Sequence, residues 1–399
     1  MAPRLSAVRP GRFPPRPGRA DPLSTMRAAD LGIRIGTGHA GPLDAITDVP
    51  GVRVGHATIV NGDGPLVVGS GPVRTGVTVI VPHDGDVRRQ PVFAGCHRLN
   101  GNGELTGLEF IREFGLLTTP VALTNTHSVG VVRDALVAAS VDASSGGSAW
   151  WSLPVVGETW DGLLNDIDGF HVRAEHLRAA LATAAGGPVA QGNVGGGTGM
   201  VCYELKGGIG TASRVLDGAD GGWTVGTLVQ ANHGRRPWLR VDGVPVGEAI
   251  TVGEVPSPRD RPGGPPPGSG SIIVVLATDA PLLPHQCARL AQRAGLGLAR
   301  TGGMGGTTSG DLFLAFATGN RFDGPVHEPG EPLSIDVRMA GERTIDPLFG
   351  AAIEATEEAI VNALLSAETM TGRDGITAQA LPHDRLVEVM EAYGRRRAG

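Results

Sequence analysis

Residues 271–278 read Ser-Ile-Ile-Val-Val-Leu-Ala-Thr, and the tract before them, residues 256–270, reads Pro-Ser-Pro-Arg-Asp-Arg-Pro-Gly-Gly-Pro-Pro-Pro-Gly-Ser-Gly. The tract is polar and rich in proline and glycine, so it can neither pack in a core nor pair as a strand. The run after it is apolar at nearly every position, which is typical of a strand covered on both faces. This junction therefore predicts a buried sheet strand that begins directly after a loop.

Similar alternating segments lie on both sides of the junction. Strands are predicted at residues 76–81, 120–126, 223–232 and 312–317, and helices at residues 131–139, 171–186, 281–294 and 348–367. The elements alternate irregularly, and we find no internal repeat. The chain contains 63 glycines, 30 prolines and few aromatic residues, which favours many tight turns in a β-rich protein. These features predict an α/β layered domain built on sheets.

The overall charge and the cysteines limit the possible partners and the compartment. The net charge of −6 does not favour binding to nucleic acid or to an anionic membrane. No run reaches the ~18 apolar residues that a membrane-spanning helix needs. Cys96, Cys202 and Cys287 are odd in number and lack metal-binding spacing, so we expect free thiols and a cytoplasmic location.

Residues 1–25 are rich in arginine and proline and lack the apolar core of a secretory signal. We expect a disordered extension there and residues 26–399 as a single catalytic domain, with Met26 as one candidate for the start. Residues 256–270 are interpreted as a processing loop within that domain.

Two glycine-rich blocks, residues 192–199 and 206–213, invite comparison with phosphate-binding loops. The first lacks the Lys-Ser/Thr ending of a P-loop and does not fit the dinucleotide pattern. We interpret both blocks as tight turns and close backbone approaches beside a site. Lys206 is the only lysine, and we expect a surface or helix-end position for it. The histidines show no metal-ligand spacing, so we predict no metal and no cofactor.

The junction itself suggests a reaction. A serine after a flexible glycine can fold its hydroxyl onto the preceding carbonyl carbon, because glycine has no Cβ to obstruct the attack. Cleavage of the Gly270–Ser271 bond would leave Ser271 with a free α-amine, whose ordinary pKa of ~7.7–8.0 suits a general base. Ser269 offers a competing Gly-Ser bond, and a Gly-Ser pair at a loop end is often only a turn. The start of the apolar strand favours Ser271.

A second polar cluster lies in residues 300–313, which read Arg-Thr-Gly-Gly-Met-Gly-Gly-Thr-Thr-Ser-Gly-Asp-Leu-Phe. Ser309 and Asp311 supply a hydroxyl and a carboxylate before a predicted strand, where they could orient a nucleophile. The simpler interpretation is a side-chain-stabilised turn in which Asp311 caps a main-chain amide.

Six segments are distinctive enough to serve as motifs: Thr47-Asp-Val-Pro-Gly-Val-Arg-Val-Gly-His, Asn100-Gly-Asn-Gly-Glu, Leu123-Thr-Asn-Thr-His-Ser-Val-Gly, Lys206-Gly-Gly-Ile-Gly-Thr-Ala-Ser-Arg, Ala277-Thr-Asp-Ala-Pro-Leu and Ala299-Arg-Thr-Gly. Together they resemble the DmpA/BapA family of L-aminopeptidase/D-esterases and β-peptidyl aminopeptidases. The resemblance extends over about residues 44–382.

The resemblance implies roles for five residues. Ser271 would be the catalytic nucleophile released by cleavage after Gly270, with Ser309 and Asp311 supporting it. Asn232, in Gln-Ala-Asn-His-Gly, would help to hold the oxyanion. Glu158, in Val-Gly-Glu-Thr-Trp-Asp-Gly, would bind the free ammonium of the substrate.

Trp160 departs from the family pattern, because a relative has a tyrosine near the reacting centre. An indole N–H donates a hydrogen bond but cannot accept one or titrate as a phenol does. We therefore expect a bulkier pocket and no proton-handling role at Trp160.

The resemblance also implies the fold and the assembly. The fold would be a four-layer αββα sandwich that resembles N-terminal-nucleophile hydrolases but has different connectivity. Fragments 1–270 and 271–399 would associate into a homo-oligomer, a tetramer of heterodimers. Substrates would be small peptides, amides or esters with a free amino group.

Two alternatives stay open at this point. An acyltransferase of the ornithine acetyltransferase type has a related fold and cleaves itself before threonine, whereas this chain has Ser271. A non-catalytic binding protein would never cleave. Whether L-, D- or β-amino-acid residues are preferred depends on a few side chains in the pocket.

Overall fold

Two stacked sheets organise the chain. The structure is a computed structural model, and it describes residues 26–143, 151–260, 270–322 and 333–396. Its strands are β1 (Arg53–Asn61), β2 (Val73–Val81), β3 (Val92–Gly101), β4 (Leu116–Leu117), β5 (Val121–Asn125), β6 (Val155–Thr159), β7 (Val201–Cys202), β8 (Leu205–Lys206), β9 (Gly208–Val215), β10 (Thr224–Asn232), β11 (Gly270–Thr278), β12 (Ser309–Arg321), β13 (Met370–Thr371) and β14 (Thr377–Ala378). Its helices are α1 (Leu108–Phe114), α2 (Val129–Ala143), α3 (Ala174–Ala182), α4 (Val246–Ala249), α5 (Pro284–Arg300), α6 (Ile345–Leu365) and α7 (His383–Ala392).

The larger sheet has the strand order β4-β3-β12-β11-β10-β9, and the smaller has the order β1-β2-β5-β6. The predicted strand that begins at the junction is β11, near the middle of the larger sheet. It runs parallel to β12 on one side and antiparallel to β10 on the other. The apolar run of β11 is thus explained by its central place.

Helices cover the outer face of each sheet. Helices α5 and α6 pack on the larger sheet, and α2 and α3 pack on the smaller one. Between the sheets, apolar side chains of β11 and β12 meet those of the smaller sheet. The layers therefore run helix, sheet, sheet, helix, which confirms the predicted αββα sandwich.

Side chains of β11 alternate between two cores. Ile273 and Val275 point into the core between the sheets, whereas Ile272 and Val274 point toward the helical layer of α5 and α6. Burial of such aliphatic side chains contributes roughly 1.5–3 kcal/mol each. This alternation also fixes the faces on which the neighbouring polar side chains lie.

Helix α5 begins later and ends later than the sequence pattern predicts. We expect a start at Pro281, but the helix begins at Pro284, where Gln286 accepts a hydrogen bond from the Leu283 N–H at 3.0 Å. The residues before it are held elsewhere, since the Pro281 carbonyl accepts from the Ala340 N–H at 2.9 Å. Pro281 and Pro284 are both suitable first residues of a helix, so the sequence pattern did not decide between them. The hydrogen bond between Pro281 and Ala340 keeps Pro281 outside the helix, which therefore begins at Pro284.

Two predicted segments lie wholly or partly outside the described residues. The extension 1–25 is one of them, and residues 261–269 of the predicted processing loop are the other. Gly270, the last residue of that loop in the prediction, already belongs to β11. Among the helices that the structure describes, none is long and apolar enough to cross a membrane.

Candidate active site

Ser271 lies between two strands that carry polar side chains. It is 4% exposed, and it pairs with Asn232 of β10 on one side and with Gly310 of β12 on the other. Side chains two or four residues apart on a strand lie on the same face. Ser271 therefore shares a face with Ile273, and Asn232 shares a face with Leu228; both apolar side chains point into the core between the sheets. The side chains of Ser271 and Asn232 therefore lie next to each other on that face.

The side-chain amide of Asn232 is held from both ends. Its Oδ1 accepts a hydrogen bond from the Val201 N–H at 2.8 Å, and its Nδ2 donates to the Trp160 carbonyl at 2.9 Å. These partners fix which end of the amide is the donor. Nδ2 carries a second N–H that has no acceptor among the described residues, and this N–H remains available to a ligand beside Ser271.

Ser309 and Asp311 form a buried pair on the opposite face of β12. The Ser309 hydroxyl donates to Asp311 Oδ1 at 2.7 Å, and Ser309 pairs with Gly270, the residue before Ser271. Ser309 and Asp311 lie on the same face of β12 as Phe313, which points toward the helical layer. Burial raises the pKa of Asp311 to about 6, although the hydrogen bond from Ser309 opposes that rise. The pair is therefore placed beside the main chain of Ser271 rather than beside its hydroxyl.

Glu158, near the end of β6, is a buried carboxylate held by donors. It accepts from the Glu104 N–H at 2.9 Å and from the Thr126 hydroxyl. Burial raises its pKa, while these two donors lower it. A Cβ on Gly103 would lie 3.0 Å from Glu158 Oε1 and 3.2 Å from Gly310 Cα, so one glycine separates the carboxylate from β12. Because Gly310 pairs with Ser271, Glu158 lies close to the junction.

Trp160 is 37% exposed, and its contribution to the site is its main-chain carbonyl, which accepts from Asn232. The indole ring lies against Gly162. Among the described residues its N–H has no hydrogen-bond acceptor. Glu158 and Trp160 are two residues apart, so one short segment carries both the buried carboxylate and the carbonyl that orients Asn232.

The glycine block 192–199 matches its interpretation as a close backbone approach. A side chain on Gly196 would collide with Gln230 and with the Leu123 carbonyl. The expectation for Lys206 was wrong, because Lys206 is fully buried at the end of β8. Among residues that the structure describes, no group of three His, Cys, Asp or Glu side chains is arranged to hold a metal ion.

The sequence comparisons point to one family. The model of peptidase family S58 matches residues 44–378. The chain is 50% identical over 375 residues to the β-peptidyl aminopeptidase BapA of Sphingosinicella microcystinivorans, which covers 92% of this chain and 93% of the relative. It is 45% identical over 383 residues to BapA of Sphingosinicella xenopeptidilytica, with 94% and 93% covered.

Solved structures agree with this assignment. A β-aminopeptidase of Burkholderia sp. superposes with a TM-score of 0.85 at 56% identity, covering 92% of this chain and 99% of that one. The L-aminopeptidase D-Ala-esterase/amidase of Ochrobactrum anthropi, titled a prototype for the serine aminopeptidases and a new variant of the Ntn-hydrolase fold, superposes with a TM-score of 0.85 at 45% identity, covering 93% and 99%. The chain belongs to peptidase family S58, the DmpA/BapA family, and is a serine aminopeptidase.

Proposed function

We propose that the chain cleaves itself at Gly270–Ser271 and then uses Ser271 as an N-terminal nucleophile. The observation that carries the proposal is the position of Ser271, buried at the start of β11 beside the side-chain N–H of Asn232 that has no acceptor in the described part of the chain. A serine in the first turn of an exposed loop would lack such a fixed donor beside it.

Self-cleavage needs only the chain and one water molecule. The Ser271 hydroxyl attacks the Gly270 carbonyl carbon and loses its proton, and the bond to the Ser271 nitrogen breaks as that nitrogen takes a proton. Water then hydrolyses the resulting ester. The products are a carboxylate on Gly270 and a free α-amine on Ser271. Fragments 1–270 and 271–399 would remain associated, because both contribute strands to the larger sheet.

In turnover the new α-amine takes the proton of its own hydroxyl as that oxygen attacks the substrate carbonyl. The acyl group, which carries the free amino end of the substrate, moves to Ser271 Oγ. The nitrogen of the cleaved amide leaves as an amine after taking a proton, and water then hydrolyses the ester to release the acid. The second N–H of Asn232 would donate to the developing oxyanion. Ser309, which pairs with Gly270 and donates to Asp311, would accept a hydrogen bond from the α-amine, and the two side chains would orient that amine.

The buried Glu158 supports selectivity for a free amino end. A carboxylate that is 3% exposed and is held by the Glu104 N–H and the Thr126 hydroxyl presents a negative charge at a fixed position. An ammonium group on the substrate would pair with it, whereas a blocked end would leave the charge unpaired. Because two relatives are β-peptidyl aminopeptidases, we propose small peptides and amides with an N-terminal β-amino-acid residue as substrates.

The proposal extends to the assembly and the compartment. Two-fragment units would associate into a tetramer of heterodimers, and the protein would work in the cytoplasm. The three cysteines support the second point, because all of them are free thiols.

A denaturing gel of the purified protein tests the cleavage. We expect two bands from the wild type and one band from Ser271→Ala, with aminopeptidase activity lost on the order of 10⁴- to 10⁶-fold. Ser269→Ala is the matched control, since it removes the neighbouring Gly-Ser serine and should still give two bands and an active enzyme. An intact and active Ser271→Ala variant would contradict the proposal.

A further inference from the structure

Lys206 is fully buried, and its hydrogen bonds within the described part of the chain all go to main-chain carbonyls. Its Nζ donates to the carbonyls of Gly207 at 2.7 Å, Met200 at 2.9 Å and Gly197 at 3.3 Å. Among the described side chains, no carboxylate lies within ion-pair distance of it. Burying an ammonium group without a counter-ion is costly, so a lysine kept there calls for a functional explanation.

One of these carbonyls belongs to the peptide group that holds Asn232. The Met200 carbonyl and the Val201 N–H are the two ends of a single planar peptide unit. Lys206 donates to the carbonyl end, and the N–H end donates to Asn232 Oδ1 at 2.8 Å. Lys206 and the amide of Asn232 are therefore connected through one rigid group.

The other contacts of this peptide restrain it further. The Met200 carbonyl also accepts from the Gly207 N–H at 2.9 Å, which closes the β7–β8 hairpin. The Met200 sulfur accepts from the Thr159 hydroxyl at 2.8 Å, next to Glu158. Donors on both lone pairs of the carbonyl fix the peptide plane, and with it the direction of the Val201 N–H.

We propose that Lys206 is a positioning residue for the oxyanion donor, acting on Asn232 through the Met200–Val201 peptide. A hydrogen bond from Lys206 Nζ to the carbonyl oxygen polarises the peptide and strengthens its N–H as a donor. Asn232, once it accepts that hydrogen bond, becomes a better donor through Nδ2 in the same way. The inference rests on the proposed roles of Ser271 and Asn232.

The test is a double-mutant cycle on kcat with a free-amine peptide amide as substrate. Asn232→Ala should lower kcat by on the order of 10²–10³-fold, as loss of one oxyanion donor does. Lys206→Met should lower kcat about tenfold with little change in KM, because the oxyanion exists only in the transition state. In the Asn232→Ala background, Lys206→Met should have less than about a twofold further effect.

Rates are normalised to the amount of processed small fragment, because self-cleavage also passes through an oxyanion. Lys206→Gln replaces Lys206→Met if the latter does not fold. Arg236→Met is the control, since Arg236 is another fully buried cation that donates to carbonyls of the same hairpin, at Tyr203 and Glu204, but not to Met200. It should lower stability and leave kcat of the folded enzyme unchanged.

Three outcomes separate this inference from the proposed function. Loss of kcat in Lys206→Met that disappears in the Asn232→Ala background supports the inference. An equal loss in both backgrounds, or none in the wild-type background while Asn232→Ala is impaired, overturns it and leaves the proposed function standing. If Asn232→Ala retains full kcat, the proposed oxyanion role fails, and the role of Lys206 fails with it.

Discussion

Two groups of buried charged side chains in this protein differ in their partners: one group forms ion pairs, and the other is held by neutral hydrogen-bonding groups. Around Arg214, on β9, the charges pair with one another: its guanidinium contacts Glu358 at 2.6 Å and Glu354 at 3.1 Å, with Asp44 at 3.8 Å. Around Ser271, Glu158, Asp311 and Lys206 have no oppositely charged partner within ion-pair distance among the described residues.

We infer that the ion-paired charges stabilise the fold, whereas the charges near Ser271 serve the proposed active site. Buried ion pairs satisfy each other, and losing one member leaves the others uncompensated. The charges near Ser271 are held by neutral donors or acceptors among the described residues, and burial raises the pKa of Glu158 and Asp311. Burial also raises the pKa of Glu358 to about 7, but there the Arg214 guanidinium opposes the rise. Unbalanced buried charge, as near Ser271, is typical of active sites. Variants in the ion-paired group should therefore lose stability and keep activity, whereas variants near Ser271 should lose activity and keep stability.

Arg214→Met should give the largest loss of stability. Removing the cation leaves Glu354, Glu358 and Asp44 together, and breaking a buried ion pair in this way costs about 3–5 kcal/mol. The free energy of unfolding from urea titration should fall by that amount, while kcat of the remaining folded enzyme stays near the wild-type value. A stable variant with reduced kcat would contradict the division between the two groups.

Glu158→Gln should show the reverse. Stability should not fall, because the glutamine keeps the shape, and the Thr126 hydroxyl can turn to accept from the new amide. KM for a free-amine peptide amide should rise by about 30- to 100-fold, equivalent to roughly 2–3 kcal/mol of lost ammonium binding. Glu109→Gln, at an exposed helix position, is the matched control. An equal change with an N-blocked ester as substrate would exclude the ammonium role.

Lys206 should leave a signature in the pH dependence of stability. Burial lowers its pKa from 10.5 to about 7, so the unfolded chain binds more protons than the folded one between these values. Stability therefore rises with pH in this window. Relative to Lys206→Met, the wild type should gain roughly 2 kcal/mol between about pH 7 and 9. Cys202 interacts electrostatically with Lys206, and burial raises its pKa from 9.0 to about 12. Its own effect on stability begins near pH 9, where the thiol of the unfolded chain ionises, and Cys202 is present in both proteins. If the free energy of unfolding changed with pH in the same way in both proteins, the pKa of Lys206 would be the same in the folded and unfolded chain, and this prediction would be wrong.

Trp160→Tyr should have the smallest effect. The contact that orients Asn232 comes from the main-chain carbonyl of residue 160, which the substitution keeps. We expect kcat to change by less than about threefold, and any change in KM to reflect the size of the pocket. A large gain in kcat, with a new pH dependence near the phenol pKa, would instead restore a proton-handling role to this position.

The layered fold and the proposed nucleophile were both predicted from local features of the sequence. The change from a Pro/Gly tract to an apolar strand marks Ser271, and the glycine hinge marks Ser309 and Asp311. Asn232 and Glu158 needed the family resemblance, because an isolated Asn or Glu in a strand has no local signature. The burial of Lys206 was missed because its three acceptors come from residues 197, 200 and 207, and only the hairpin brings them together.

The most direct test of the account is the N-terminal sequence and mass of the small fragment from active enzyme. We expect a fragment of residues 271–399 that begins Ser-Ile-Ile-Val and is found acylated on that first serine when turnover is quenched. A fully active unbroken chain, or a fragment that begins at another residue, would contradict it.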